Sequence, residues 1–461
     1  MSNQLVWFRN DLRIHDHEPL TAATQLATQS GSQCHALYIY AEDQLRQHGA
    51  GNNKLAAIQQ ALDELNSSLA QIGIRLHLIE IRSWQDCAVT ISTYCEQHRI
   101  SGIHCHYEPG YDEFKRDQSV ALTLPESVKF QRYNDLFFCH PKQNLNKQGD
   151  YYRVFTAYKK STLAALQNQL TPPLTAPLFK QAVQPAPLNV AGRYSWQNPL
   201  ELAVTESEAH IRLASFIENE KRYGEQRDIP SIDGTSKLSV ALSLGSISAN
   251  QIAWAVQQSG QRLSESTYFS EILWREFYKY LLYFRPELCL GKPFNTKWDQ
   301  FPWQYDHNQL KRWQDGKTGI PIVDAAMRQL NSTGWMHNRL RMVSAMYLVK
   351  IMQMDWRLGE SYFASQLADF DFAANNGGWQ WVASTGVDAV PYFRIFNPHQ
   401  QAKRFDPQGA FVRNYVPEIA SLGGKDIFTP DTTDRHRFNY PAPVVDYAVA
   451  RSDTLQKFKS L

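Results

Sequence analysis

Glu271, Trp274, Arg275 and Tyr278 fall three, four and seven residues apart, so on a helix they share one face. That face joins a carboxylate, an indole, a guanidinium and a phenol, while Leu273, Phe277, Tyr280 and Leu281 form a second stripe suited to a core. Standing alone, the polar face would be an exposed Glu–Arg pair beside a half-buried tryptophan. Residues 334–350 repeat the arrangement: Leu340, Val343, Ser344, Tyr347 and Leu348 suit a core, whereas Trp335, Asn338, Arg339 and Met342 lie on a polar and aromatic side. Two such faces in a tryptophan-rich region predict a binding site for something flat and aromatic.

Asp233-Gly234-Thr235-Ser236-Lys237-Leu238-Ser239 precedes an apolar helical run. Hydroxyls and unsatisfied N–H groups at a helix start suit a phosphate, although capping is the simpler use of the same residues. Asp369 and Asp371 have no neighbouring His or third carboxylate, so they are expected to accept hydrogen bonds from a ribose or a heterocycle rather than hold a metal. Asn375-Asn376-Gly377-Gly378 has turn composition. Trp379 and Trp381 would diverge by about 200° on a helix, one facing inward and the other a cleft.

These groups need a scaffold, and the chain changes character along its length. Residues 1–140 alternate strand-like and helix-like patterns: Leu5-Val6-Trp7-Phe8, then Ala36-Leu37-Tyr38-Ile39-Tyr40, then a helical period in Leu55, Ile58, Leu62, Leu65, Leu69 and Ile72 closed by Gly73. Arg75-Leu76-His77-Leu78-Ile79 resumes a strand, and 103–107 and 128–133 add two more, which predicts an α/β N-terminal domain with a parallel, doubly wound sheet. No GxGxxG follows the first strand, so the dinucleotide fingerprint is absent there. Prolines at 172, 173, 177, 185, 187 and 199 mark an extended surface connection within a linker over 141–205. Residues 206–461 are expected to form a mainly α-helical C-terminal domain.

No apolar run approaches the roughly 18 residues of a membrane span, and the start carries no basic flank or small-residue cleavage site. A cytoplasmic protein is expected. The six cysteines form no CxxC and do not cluster with His, so neither a zinc site nor a disulfide framework is suggested. A net charge of +2 does not by itself announce nucleic-acid binding. Nine of the twelve tryptophans lie from Trp254 onward, which places whatever the indoles do in the helical region.

Leu5-Val6-Trp7-Phe8-Arg9-Asn10-Asp11-Leu12-Arg13, Trp274-Arg275-Glu276-Phe277-Tyr278, Gly334-Trp335-Met336-His337-Asn338-Arg339 and Asn375-Asn376-Gly377-Gly378-Trp379-Gln380-Trp381 together resemble the photolyase/cryptochrome family, and within it the bacterial class I cyclobutane-dimer photolyases. The resemblance implies that the helical domain binds FAD, with Tyr223, Thr235, Ser236, Lys237, Leu238, Ser239, Arg275, Asn338, Asp369 and Asp371 at cofactor positions; an Arg is also common where Lys237 stands. It implies light-driven repair of cyclobutane pyrimidine dimers in DNA, by electron transfer from excited reduced FAD to a dimer flipped out of the helix. Glu271, Asn375 and Met342 are the implied catalytic positions. Glu271 would stabilise charge developing on the dimer, Asn375 would stand at the reactive edge of the flavin, and Met342 would line the lesion pocket with Glu271, Trp274 and Trp381. Trp303, Trp356 and Trp379 match the family's electron-transfer relay. Implied DNA contacts are Glu271, Trp274, Tyr278, Asn338, Arg339, Trp381, Arg227 and Arg394, with Lys403 and Arg404 as further phosphate contacts. The implied partner is dimer-containing DNA, bound by a monomer away from membranes.

Within the family, Asn338 and Met342 stand where six-four photolyases place two histidines, which favours cyclobutane dimers. Plant cryptochromes usually carry Asp, and animal ones Cys, where this chain has Asn375. His48, Glu113 and Cys289 resemble an antenna site for methenyltetrahydrofolate, although Asp112 stands where Asn is usual and Leu290 where Lys often occurs. A cryptochrome-like photoreceptor predicts a long C-terminal extension, and only about 60 residues follow Pro398. A dark flavoprotein oxidoreductase would need a nicotinamide site, for which the sequence carries no fingerprint.

Overall fold

The computed structural model describes residues 2–134, 136–190 and 192–461. Strands β1 (Asn3–Phe8), β2 (Cys34–Tyr40), β3 (Leu76–Glu80), β4 (Ile100–His106) and β5 (Lys129–Tyr133) form one fully parallel sheet in the order β3-β2-β1-β4-β5. A helix lies in each crossover, and Leu5, Val6, Trp7 and Phe8 of the central strand β1 are all buried. The Asn52–Gln71 helix follows the expected apolar period. Gly73 then turns at φ +80°, where a Cβ would sit 2.7 Å from the Gln181 carbonyl oxygen, so glycine is required.

The strand order reverses between β1 and β4, the place where open α/β sheets usually receive a nucleotide. Here that position is filled by the protein's own charges. Arg9 donates to the His106 carbonyl and to both carboxylate oxygens of Asp117, while Asp11 accepts from His17 and His106, all of them buried.

The described residues pack as two compact units, one running up to Trp196 with Glu201–Lys221 and Ser236–Leu290, the other comprising Gln197–Leu200, Arg222–Thr235 and Gly291–Leu461. This cuts the chain differently from divisions at 140 and 205. Buried Glu276 of the Thr267–Phe284 helix accepts from the Tyr158 hydroxyl at 2.6 Å and the Phe138 amide at 3.0 Å, which ties that helix to the chain after β5. The expected linker also contains a helix, Phe155–Gln169; beyond it, residues 170–205 hold no helix or strand among those described.

In the second unit a core that includes Trp313, Met327, Leu348, Trp356, Phe363 and Trp379 binds the helices Pro321–Thr333, Asn338–Met346, Trp356–Gln366 and Phe372–Ala383. The expected single helix over 334–350 is broken. Gly334 ends the preceding helix at φ +70°, the next begins only at Asn338 with His337 Nδ1 accepting from the Arg339 amide, and a π-helical turn follows at Tyr347–Ile351. Conversely, Asn375–Gly378 is not a turn but lies inside the Phe372–Ala383 helix, whose N-terminus Asp371 caps through the Ala374 amide, a contribution of about 1 kcal/mol. No described helix is long and apolar enough to cross a membrane.

Candidate functional site

In the first unit, Ser266 caps the Thr267–Phe284 helix by accepting from the Phe269 amide. Leu273, Phe277, Tyr280 and Leu281 are buried, while Glu271, Trp274, Arg275 and Tyr278 are half-buried, so the carboxylate–indole–guanidinium–phenol face is turned out of the core. Trp274 stacks on Phe155 with ring centres 3.7 Å apart and planes 13° apart, and Tyr278 flanks it at 5.7 Å. One face of the indole is thereby covered and its plane fixed. Arg275 donates to the Leu242 carbonyl. The nearby segment is pinned at three points: the Ser236 carbonyl accepts from Arg212, the Lys237 carbonyl from the Ala203 amide, and the Ala203 carbonyl from the Ala241 amide. Lys237 is left-handed at φ +54°, and Leu238 at the N-cap position makes no side-chain bond to the short Ser239–Leu244 helix.

In the second unit, Asn338 is the exposed first residue of its helix. Arg339 grips Asp228 through two nitrogens at 3.2 and 2.7 Å, lies over the Phe405 ring at 4.4 Å, and places Nη1 3.9 Å from the Met342 sulfur. Its charge is therefore largely spent within the protein, and it orients Met342. Asp369 accepts from Arg341 at 2.7 Å through Oδ2, while Oδ1 is buried with no hydrogen-bond partner. A buried acceptor left open calls for a donor from outside the chain. Asn375 gives its Nδ2 to the Glu360 carbonyl at 3.0 Å, which leaves its own side-chain oxygen as the acceptor at the other end of the amide. Trp379 is buried and Trp381 half-buried, so the two indoles diverge. Tyr223 and Thr235 are half-buried, and the Arg227 guanidinium lies 5.7 Å from the Tyr223 ring centre. Arg394, Lys403 and Arg404 are exposed.

The three expected relay tryptophans all lie in this unit, with Trp303 and Trp356 joined through backbone neighbours. Trp303 is followed by Gln304, whose amide bonds the Gln353 carbonyl and which bridges to Met354, two residues before fully buried Trp356. Gly359, one helical turn beyond Trp356, presses on the next indole: a Cβ there would sit 2.1 Å from Trp379 Cη2. Gly359→Ala is accordingly expected to cost about 1–3 kcal/mol of stability through overpacking. A thermal or denaturant unfolding curve matching that of the parent protein would contradict the contact.

The expected antenna residues all fall in the first unit. His48 Nε2 lies 3.0 Å from Asp112, and its ring meets Trp84 edge-on at 4.9 Å. Burial, with Glu108 nearby, pushes the Glu113 carboxyl up to about 7. Cys289 is half-buried in the Pro286–Leu290 turn, which packs on the Tyr111–Thr123 helix carrying Asp112 and Glu113.

This fold is the one shared by photolyases and cryptochromes. It superposes with a TM-score of 0.86 on a bacterial class III photolyase from Agrobacterium tumefaciens, 32% identical and covering 100% of this chain and 98% of that one. It superposes at 0.85 on an archaeal photolyase from Sulfolobus tokodaii solved with two FAD molecules, 26% identical with full coverage of both chains. Residues 4–178 match the DNA photolyase family and 268–460 the FAD binding domain of DNA photolyase. A deoxyribodipyrimidine photo-lyase of Salmonella typhimurium is 39% identical over 100% of this chain and 99% of its own length. The chain belongs to the DNA photolyase family.

Sequence reading passed over three residues that the geometry brings forward. Arg341 holds Asp369, and its only sequence signal is its position one turn beyond Asn338. Glu360 accepts from Asn375 through its carbonyl and from Asn376 through its carboxylate at 2.8 Å, and burial pushes that carboxyl up to about 7. Phe155, in the stretch read as linker, is the platform for Trp274.

Proposed function

We propose that this chain is a flavoenzyme that uses light to split cyclobutane pyrimidine dimers in DNA, with the cytoplasm as its location and a monomer as its working form. The observation that carries the reading is the half-buried Glu271–Trp274–Arg275–Tyr278 face, set against the buried stripe of the same helix in a member of the photolyase family. FAD fits the residues present. The unpartnered, buried Asp369 Oδ1 suits a hydroxyl or N–H donor of the cofactor. Tyr223, Thr235, Ser236, Lys237, Leu238, Ser239, Arg275, Asn338, Asp369 and Asp371 would hold the cofactor. A bound, reduced FAD supplies light-driven donation of one electron and takes it back after the lesion has opened.

The remaining work falls to side chains. A cyclobutane dimer is bent and nonaromatic, stacks poorly in duplex DNA, and is therefore cheaper to extrude than an intact base pair. Trp274, held flat on Phe155, offers it an apolar surface. Glu271, with its carboxyl protonated, would donate its O–H to a base carbonyl and so stabilise the negative charge that grows there while the two carbon–carbon bonds of the cyclobutane ring break. Asn375, with its amide nitrogen anchored on Glu360, would offer its oxygen as an acceptor to a flavin N–H. Trp303, Trp356 and Trp379 serve to bring electrons inward when the flavin is oxidised. His48, Glu113 and Cys289 would hold a folate-type antenna, methenyltetrahydrofolate.

Glu271→Ala is expected to lower repair per absorbed photon by at least about tenfold while changing affinity for dimer-containing DNA far less; the reverse pattern would make Glu271 a binding residue. Exposed Arg394 gives a contrasting expectation. Arg394→Ala should reduce the slope of log affinity against log salt by about one, with repair by the bound enzyme unchanged. The substrate reading is tested by binding: an oligonucleotide carrying one cyclobutane dimer should bind about a thousandfold more tightly than its undamaged twin. Equal binding, or a preference for a six-four lesion, would contradict it.

A further inference from the structure

Three histidines distant in sequence meet at the β2–β3 side of the sheet. Leu37 of β2 pairs in register with His77 of β3, so His77 and His35, two residues before Leu37, project from the same face. His98 ends the Cys87–His98 helix, whose Ile91, Tyr94 and Cys95 share a core with Leu37. Ring centres are 5.0 Å apart for His35 and His98, 5.6 Å for His77 and His98, and 5.9 Å for His35 and His77. Three imidazoles on one tetrahedral ion, with metal–nitrogen bonds of about 2.0–2.1 Å, would have ring centres about 5.2 Å apart. His77, His98 and Tyr94 line an open cavity of about 350 Å³.

We propose that His35, His77 and His98 bind a divalent transition metal of the zinc, nickel or copper class, with a fourth position open to water from this cavity. The Tyr94 hydroxyl lies 3.2 Å from His35 Nδ1, the outer hydrogen bond that fixes a ligating imidazole and leaves Nε2 for the ion. Arg75, on the rim of the cavity, is exposed and screened by solvent.

Two tighter His–carboxylate groups suit a metal less well, because their ligand atoms are already engaged. His17 Nδ1 accepts from the Leu20 amide, so Nε2 must carry the proton it gives to Asp11. Glu206 accepts from the Ile14 and His15 amides and from the His15 ring.

The test uses the full-length flavoprotein, freed of metal with EDTA and titrated with Co²⁺. One equivalent should saturate visible bands of a four- or five-coordinate ion in the micromolar range, with Zn²⁺ displacing it. His77→Ala and His98→Ala, at half-buried positions, should weaken binding by about 100-fold or more while keeping the FAD absorbance and circular dichroism of the parent. Zn²⁺ should raise the thermal midpoint of the parent and not of these variants. Absence of saturable binding, equal affinity in parent and His77→Ala, or binding lost instead in His15→Ala would overturn the proposal.

Discussion

Trp356→Phe is expected to stop photoreduction of the oxidised flavin while protein reduced beforehand repairs dimers almost as well as the parent. Trp356 is wholly buried, so no solvent reductant reaches it. Gln304 ties Trp303 to the segment before Trp356, and Gly359 sets Trp379 against the turn after it. A benzene ring is far harder to oxidise than an indole, and a hop made uphill by even about 2.7 kcal/mol is slowed about 100-fold. Removing the indole's extra atoms also leaves a small void, at a cost of about 1–2 kcal/mol, which a melting curve separates from the photochemical effect. The readout is the rate at which oxidised flavin bleaches under blue light with an external thiol. Equal loss of photoreduction and of repair by pre-reduced protein would remove Trp356 from the relay and make it a structural residue.

Asp369→Ala should empty the protein of FAD. Its Oδ2 neutralises Arg341 and its Oδ1 is a buried acceptor with no donor in the chain, so a cofactor donor there gains a charge-assisted bond in a site already closed to water. Such a bond contributes about 1.5–3 kcal/mol, or about 10- to 150-fold in FAD affinity. The expected preparation is folded and nearly colourless, with flavin recovered only at high added FAD. A variant that purifies with the parent's flavin content would show that Oδ1 faces no cofactor.

Much of this site was legible because its residues repeat within one helix. Glu271, Trp274, Arg275 and Tyr278 need only the helical period to be placed together, and the Thr267–Phe284 helix places them so. The long connection was legible from its prolines for the same local reason. What escaped depends on partners distant in sequence. Nothing near Asp369 announces Arg341, and Phe155 becomes the platform of Trp274 only because Glu276 draws the chain after β5 onto that helix.

The break at 334–337 was hidden by Met336, which is buried and keeps the apolar rhythm going across a non-helical turn. Inside the Phe372–Ala383 helix, two glycines and two asparagines go against their own propensities at about 1 kcal/mol for each glycine. The Asp371 cap and the chain of bonds from Gln380 to Asn376 to Glu360 offset that cost. These tertiary terms are invisible in composition.

The central claim is that light absorbed by the reduced, FAD-loaded protein restores the two pyrimidines of a dimer. The direct measurement gives the reduced protein a single-stranded and a duplex DNA, each carrying one thymine dimer, and counts restored thymines under blue light and in the dark. Restoration is expected in both DNAs under light, none in the dark, and no change in a six-four lesion. Failure to restore thymine in either DNA under light, with FAD bound and reduced, would contradict it.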